Sequence, residues 1–426
     1  MIISRLCTPF LKNNYLTSFF LAHKECTFIA TTKHVLSYNN KPNTLKNSIL
    51  LLVSCLFIAC KTDKKSDSSL GSLHPTKIEI NHAKGFTIEK SNNGLTIIEV
   101  SSAWPGATTT FKYALIPKDK MASMTLNKDE YDAIITTPVK RLIVTSTTHI
   151  PSLEALGVID RLVGFPKTEL ISSENTRKLI DNGAIKELGN NETLNTEIAI
   201  SLRPDVVVGF GINNQNKAYE TVVRSNIPLV YNGDWTEESP LGKAEWIKFF
   251  APFFGLETKA DSVFKSIEKS YLQTQAIVKN VTKKPTVLTG GLYKDVWHVA
   301  GGKSWMAQFL KDAKTDYLWK DTPETGGIGL SLESVLATAQ NADYWLNPSM
   351  LTSYKDIEES NNHYTQFDAY KNKTVFSNTI AKGATGGLLY YELGPMRPDL
   401  VLKDLIHIFH PELLPDHELF FFKPLE

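Results

Sequence analysis

The sequence predicts an α/β protein: two βα-repeat lobes joined by one long rigid helix, with a small β-rich appendage in front. Three observations predict it. Strand–helix alternation begins at Arg141, a Gly- and Pro-free amphipathic run follows from Thr258 to Thr282, and alternation resumes after Pro285. A chain of 426 residues is too long for one compact core and long enough for two.

The N-terminal region reads as a targeting segment. Lys46 precedes an apolar run from Ile49 to Ala59, interrupted only by Ser54, that ends on Ala59-Cys60. Such a run is too short to cross a bilayer but suits a signal-peptide core. A small residue just before cysteine at its end is the lipoprotein cleavage pattern, so Cys60 is the expected lipidation site and residues 46–59 the signal peptide. The polar stretch after Cys60, to residue 74, reads as a flexible tether. Residues 1–45 fit no part of this pattern and are read as an extension produced by a start site assigned too early.

Charge and cysteine content narrow the chemistry. Six basic residues and one acid precede Cys60; removing them from totals of 46 and 45 leaves 40 basic and 44 acidic residues, a net of −4. A faintly acidic body has no electrostatic reason to bind nucleic acid. The four cysteines are Cys7, Cys26, Cys55 and Cys60, so the body has no disulfide, thiolate metal site or cysteine nucleophile.

Within residues 75–137, β-rich stretches at Lys77–Ile80, Phe86–Glu89, Leu95–Val100 and Phe111–Ile116 are separated by turn signals such as Asn92-Asn93-Gly94. The N-terminal lobe, residues 138–257, opens on the apolar run Leu142-Ile143-Val144, the pattern of a buried parallel strand. Pro151 then starts a helix that Gly157 stops. Further strands are expected at Arg161–Phe165, Asp205–Phe210 and Pro228–Asn232, with helices at Ser172–Asp181, Thr196–Leu202 and Gln215–Ser225. In the interlobe helix, residues 258–283, Val263, Ile267, Tyr271, Ile277, Val278 and Val281 recur near the helical period; about 25 residues would span ~37 Å. The C-terminal lobe, residues 284–426, has strands at Thr286–Thr289, Val296–Ala300, Asp343–Leu346 and Thr374–Ser377. Its helices lie at Ser304–Ala313, Leu332–Thr338 and Pro398–Phe409.

The two halves echo each other. Glu197 and Glu333 each stand at the start of a short helix that runs into a buried strand, where the helix dipole favours an acid.

These residues together resemble the periplasmic-binding-protein family for iron siderophores, haem and vitamin B12 (class III). The resemblance covers about residues 138–426. It rests on Arg141-Leu142-Ile143-Val144, Ala155-Leu156-Gly157, Asp160-Arg161-Leu162-Val163-Gly164, Leu188-Gly189, Asn195-Thr196-Glu197 and Leu202-Arg203-Pro204-Asp205. In the second half it rests on Ser331-Leu332-Glu333 and Arg397-Pro398-Asp399-Leu400-Val401-Leu402. The appendage and Tyr231-Asn232-Gly233-Asp234-Trp235 look most like lipoprotein members from Bacteroidetes-type bacteria. The resemblance implies a monomeric, non-enzymatic binding protein of an ABC importer, lipid-anchored in the periplasm. It holds its ligand between the lobes and docks on a permease with its ATPase. It also implies that Glu197 and Glu333 are the docking acids, one per lobe, each meeting arginines of the permease.

In open α/β lobes the ligand meets the loops beyond the carboxyl ends of the strands. The expected cleft residues are therefore Thr147, His149, Phe210, Trp235, Tyr293, Trp297, Trp305 and Lys382, an aromatic-rich set suited to a catecholate or macrocyclic ligand. An Fe(III) chelate, a ferric siderophore first, is the expected ligand, with no resident cofactor and no protein metal site. Four other readings compete. Cobalamin-binding members carry tryptophan six residues before each docking glutamate, where this chain has Asn191 and Gly327. A haem receptor would use an axial His149 or Tyr293. Direct zinc or manganese binding would need more than His149 and His298, the two of the body's eight histidines on expected cleft loops. A hydrolase on the same fold finds little support. In Gly302-Lys303-Ser304 the first P-loop glycine would fall at Trp297, and a nucleophile elbow at Ser304 would need glycine where Met306 stands.

Overall fold

In this computed structural model the described residues are 75–426 with the exception of Asn214. The extension, signal peptide, Cys60 and tether lie outside them. The strands of the first sheet are β1 (Thr76–Lys77), β2 (Phe86–Lys90), β3 (Thr96–Val100), β4 (Phe111–Pro117) and β5 (Ala133–Thr137), paired in that order. β1 to β4 are antiparallel and β5 joins β4 in parallel. β3 shows the cause: Thr96, Ile98 and Val100 are buried while Ile97 and Glu99 between them are not, the period of a strand with one face on a core. That core is shared. Phe86, Ile88, Val100 and Tyr113 pack in one cluster with Val144, Leu153, Phe165, Phe249 and Phe253 of the following lobe. The expected appendage is thus a covering sheet of the N-terminal lobe, because its apolar face has no other partner large enough to bury it.

The N-terminal lobe sheet contains β6 (Leu142–Val144), β7 (Leu162–Phe165), β8 (Lys186–Glu187), β9 (Val206–Gly209) and β10 (Leu229–Tyr231), all parallel in the order β10-β9-β6-β7-β8. Its helices are α1 (His149–Leu156), α2 (Glu174–Asp181), α3 (Thr196–Ser201) and α4 (Lys217–Arg224). α1 begins two residues before Pro151, since proline is tolerated anywhere in a first turn, and ends as expected at Gly157 with φ +73°. Tyr113 shields the open edge of the sheet: its hydroxyl accepts the Tyr231 N–H at 2.9 Å.

Two short helices then occupy a stretch where the sequence shows no helical period, α5 (Pro240–Glu245) and α6 (Ile247–Phe250). Every residue from 240 to 253 is buried. A helix enclosed on all sides carries no amphipathic signature. The long helix α7 (Glu257–Ile277) spans 21 residues, ~31 Å, shorter than expected. It stops where β-branched Val278, Val281 and Thr282 lead into Lys284-Pro285. Its early residues Ala260, Phe264 and Ile267 belong to the N-terminal core, and Tyr271 near its end to a second core. α7 therefore spans both lobes.

The C-terminal lobe contributes β11 (Thr286–Thr289), β12 (Gly291–Tyr293), β13 (Val296–Ala300), β14 (Asp316–Tyr317), β15 (Gly327–Leu330), β16 (Tyr344–Leu346), β17 (Val375–Ser377) and β18 (Lys423–Pro424). The main sheet runs β14-β11-β16-β17-β18, with only β18 antiparallel; β12, β13 and β15 form a separate antiparallel sheet. The run Val296–Ala300 is thus a strand as expected, but not one of the parallel set. The helices are α8 (Trp305–Asp312), α9 (Leu332–Ala339), α10 (Tyr354–Ser360), α11 (Asp368–Lys371), α12 (Leu389–Leu393) and α13 (Pro398–Phe409), the last packed along α7.

Four strands of each main sheet share one arrangement, and the fifth strands, β8 and β18, lie at opposite edges. In each, the first strand (β6, β11) lies between the second (β7, β14) and a third (β9, β16), and the third pairs outward with a fourth (β10, β17). β9 and β16, and likewise β10 and β17, are therefore counterparts.

Candidate functional site

The counterpart strands place Glu197 and Glu333. α3 precedes β9 and α9 precedes β16. Asn195 caps α3 by accepting the Ile198 N–H, and Ser331 caps α9 by accepting the Ser334 N–H. Glu197 and Glu333 are each the second residue after these caps, and both are exposed. The carboxyl of Glu333 is held below its usual range by its own backbone N–H and the Ser331 hydroxyl. The two acids thus occupy the same helical position on counterpart helices.

The loops at the carboxyl ends of the strands gather some of the expected cleft residues. Phe210 follows β9 and Trp235 follows β10; both are half-buried and their rings lie 5.3 Å apart. Thr147 is half-buried in the loop after β6. Trp305, the first residue of α8, is half-buried against Phe309 and Tyr390. Lys243 of α5 connects these groups across the lobes. Its ammonium donates to the carbonyls of Asp234 and Trp235 at 3.1 and 2.8 Å and stands 5.1 Å from the Trp305 ring. Burial pulls the Lys243 pKa down to about 8 against the attraction of Asp234 and Glu237. Lys382 is exposed beyond β17, and Tyr293 is half-buried at the tip of the separate sheet, under the Lys294 ammonium at 5.5 Å.

Two expected cleft residues are core residues instead. Trp297 is fully buried, donates its indole N–H to the Thr289 carbonyl at 3.0 Å, and has Trp345, Tyr364 and Phe367 each at 5.4 Å. A ring so enclosed offers no face to a ligand. His149 is also fully buried, turned against Phe250 at 5.4 Å. Burial lowers its pKa to about 4, so the imidazole is neutral; neither ring nitrogen has a hydrogen-bond partner.

Other residues were not anticipated. Asn232 directly follows β10 and Asn378 directly follows its counterpart β17. Both are buried, and each leaves one side-chain atom without a partner, as do Asp234 and Tyr390. An unpaired buried polar atom costs ~1–3 kcal/mol, so these loops are incomplete by themselves. The sequence signal for the pair was modest: an asparagine at the end of each fourth strand. A depression of about 500 Å³ lies elsewhere, on the outer edge of the N-terminal sheet between Phe111, Asp132, Val223 and Tyr231. Among the described residues no three His, Cys, Asp or Glu side chains come together as a metal cluster, and no helix is long and apolar enough to cross a membrane.

Two sheets with a matching four-stranded parallel arrangement, spanned by one helix and with polar and aromatic loops at their carboxyl ends, define a bilobal solute-binding protein. The family described as periplasmic binding protein matches residues 142–379, and the chain belongs to it. An uncharacterized lipoprotein of Methanocaldococcus jannaschii is 28% identical over 298 residues, 68% of this chain and 69% of its own. A periplasmic binding protein from Veillonella parvula superposes with a TM-score of 0.52 at 16% identity, over 76% of this chain and 95% of that one. A possible iron-binding (periplasmic solute-binding) protein from Staphylococcus epidermidis does so with a TM-score of 0.50 at 18% identity, over 64% of this chain and 99% of its own. At these identities the likeness is one of fold.

Proposed function

We propose that this chain is the solute receptor of an ABC importer, tethered to the membrane through lipidated Cys60, and that it captures an Fe(III) chelate, a ferric siderophore first. It hands the chelate to a permease powered by its ATPase, with Glu197 and Glu333 as the two docking acids. The observation that carries the reading is the matched pair of exposed glutamates, at the same helical position on counterpart helices of the two lobes. Two carboxylates so placed fix the orientation of docking without needing a large interface. Membership of a solute-binding family supports a carrier rather than a catalyst. The Phe210–Trp235 corner offers flat apolar area with a polar edge, and the unpaired Asn232 and Asn378 atoms add polar contacts, a mixture that suits an organic chelate better than a bare ion. The burial of His149 argues against its use as a haem ligand.

The test is a thermal-shift titration of protein from Ser66 onward with ferric hydroxamates, ferric catecholates, haemin, cobalamin, Zn²⁺ and Mn²⁺. A ligand at one hundred times its Kd stabilises by ~2.7 kcal/mol, a clear rise in Tm. Stabilisation by one ferric siderophore class is the expected result. A response to Zn²⁺ or Mn²⁺ alone would overturn the proposal.

A further inference from the structure

We infer that residues 381–396 form a strap by which the C-terminal lobe grips the N-terminal lobe, with the Glu392 carboxyl as a fastener controlled by its proton. The segment leaves the C-terminal sheet after β17 and leads into α13; Leu389, Tyr390 and Leu393 keep it in the C-terminal core, while residues on either side of them reach the other lobe. Gly387 lies so close to the loop after β7 that a Cβ there would stand 2.1 Å from the Leu170 carbonyl oxygen; at Gly383 it would stand 2.6 Å from the Ser172 Cα. Thr385 Oγ1 donates to the Glu169 carbonyl at 2.7 Å. Met396 is buried in the N-terminal core, where Ser152 Oγ of α1 approaches its Sδ at 3.8 Å. Between these contacts the Glu392 carboxyl, 3% exposed, accepts the backbone N–H groups of Ser172 at 2.5 Å and Ser173 at 2.9 Å. Lys382 stands at the start of the strap, so the grip adjoins the loops of the candidate site.

The charges around the fastener make it sensitive to protons. The facing charged group on α1 is Glu154, itself bound to the hydroxyls of Ser173 and Thr176. On the gripped loop Glu169 and Glu174 flank Ser172 and Ser173 at the surface, and on the strap side Arg397 is engaged by Asp399. Burial first, and Glu154 in addition, raise the Glu392 pKa to about 7 despite the two amides. A raised pKa means that the gripped state prefers the protonated carboxyl. The grip is complete below the pKa of a free glutamate and weakens as pH rises through about 7, after which a buried anion faces a second one.

The experiment is hydrogen exchange by mass spectrometry on the full chain in detergent, corrected for the intrinsic pH dependence of exchange. Linkage across the two pKa values allows the opening of the grip to increase by up to ~300-fold between pH 4 and pH 8. Peptides covering residues 168–176 and 381–396 should lose protection together over that range. Glu392→Gln should keep protection constant. Should that variant not fold, Glu154→Gln removes the neighbouring charge that helps raise the Glu392 pKa, and should make the loss of protection smaller and move its midpoint to lower pH. Protection in these peptides that does not respond to pH in the wild type, or a midpoint unmoved in Glu154→Gln, overturns the inference.

Discussion

Glu245 offers the sharpest test of how the first sheet belongs to the molecule. Its side chain is fully buried, and its carboxylate accepts the N–H groups of Asn81, His82 and Ala83 at 3.0, 2.6 and 2.9 Å and the Lys248 ammonium at 2.8 Å. Burial alone would raise its pKa, but Lys248 and the three amides outweigh burial and hold it below the usual range. Glu245→Ala leaves three amides without an acceptor and strips the buried Lys248 ammonium of its closest carboxylate, leaving it the Glu79 carbonyl at 3.0 Å and Asp261 at 3.7 Å. Removing one partner of a buried ion pair costs ~3–5 kcal/mol. At ~2.1 cal/mol/K per residue over the roughly 350 described residues, a loss of ~4 kcal/mol lowers Tm by about 5 °C. A depressed pKa contributes stability above the unfolded value, and that stability is lost as pH falls through the folded one. The wild-type advantage should therefore be full near pH 7 and shrink below about pH 4.5. Urea unfolding followed by circular dichroism, with hydrogen exchange at Phe86–Lys90, reads both effects. A loss below ~1 kcal/mol, or a first sheet that exchanges independently of the lobe, would refute the shared core.

Trp297→Ala should destabilise by ~3–5 kcal/mol in denaturant unfolding, the cost of a cavity among Trp345, Tyr364 and Phe367, yet leave the affinity of any bound chelate within a few-fold by fluorescence titration. A large loss of affinity in protein that remains folded would return this residue to the site. Glu197→Arg combined with Glu333→Arg should abolish solute uptake by cells while solute affinity and fold persist, since both side chains are exposed and an acid at a helix start is worth only ~0.3–1 kcal/mol. Undiminished uptake would remove the docking role.

The parts of the fold that depend on local pattern were legible. Leu142-Ile143-Val144 and Val206-Val207-Val208 are apolar without alternation because both faces of a parallel strand are covered, and each is a strand of the first lobe. Parts decided by distant contacts were not. Residues 240–253 read as nothing in particular: Lys243, Glu245 and Lys248 interrupt the apolar residues, and only the folded molecule supplies the carbonyls and carboxylates that let those ions be buried. The first sheet read as an appendage for the same reason, since nothing in Phe86 or Tyr113 announces that their partners are Trp246 and Tyr231.

Within the site the same division holds. The placement of Glu197 and Glu333 at helix starts was legible, because an exposed acid two residues past a cap is a local feature that tertiary packing does not move; their docking role came only from the family resemblance. The aromatic residues were harder, since a tryptophan near a strand end satisfies a ligand and a core equally well on paper. For Trp297 the deciding signal was nonetheless present. In Val296-Trp297-His298-Val299-Ala300 the strand period puts Trp297 on the face of Val299, and that face is buried while Val296 is exposed and His298 and Ala300 are half-buried. Phe210 and Trp235 carry no such pattern, for each stands one or more residues beyond its strand, where alternation has ended. It is there, past the last ladder hydrogen bonds of β9 and β10, that a side chain is released from the sheet and can face a guest; the same holds for Asn232 and Asn378, whose unpaired atoms mark the positions where the fold alone does not complete its own hydrogen bonding.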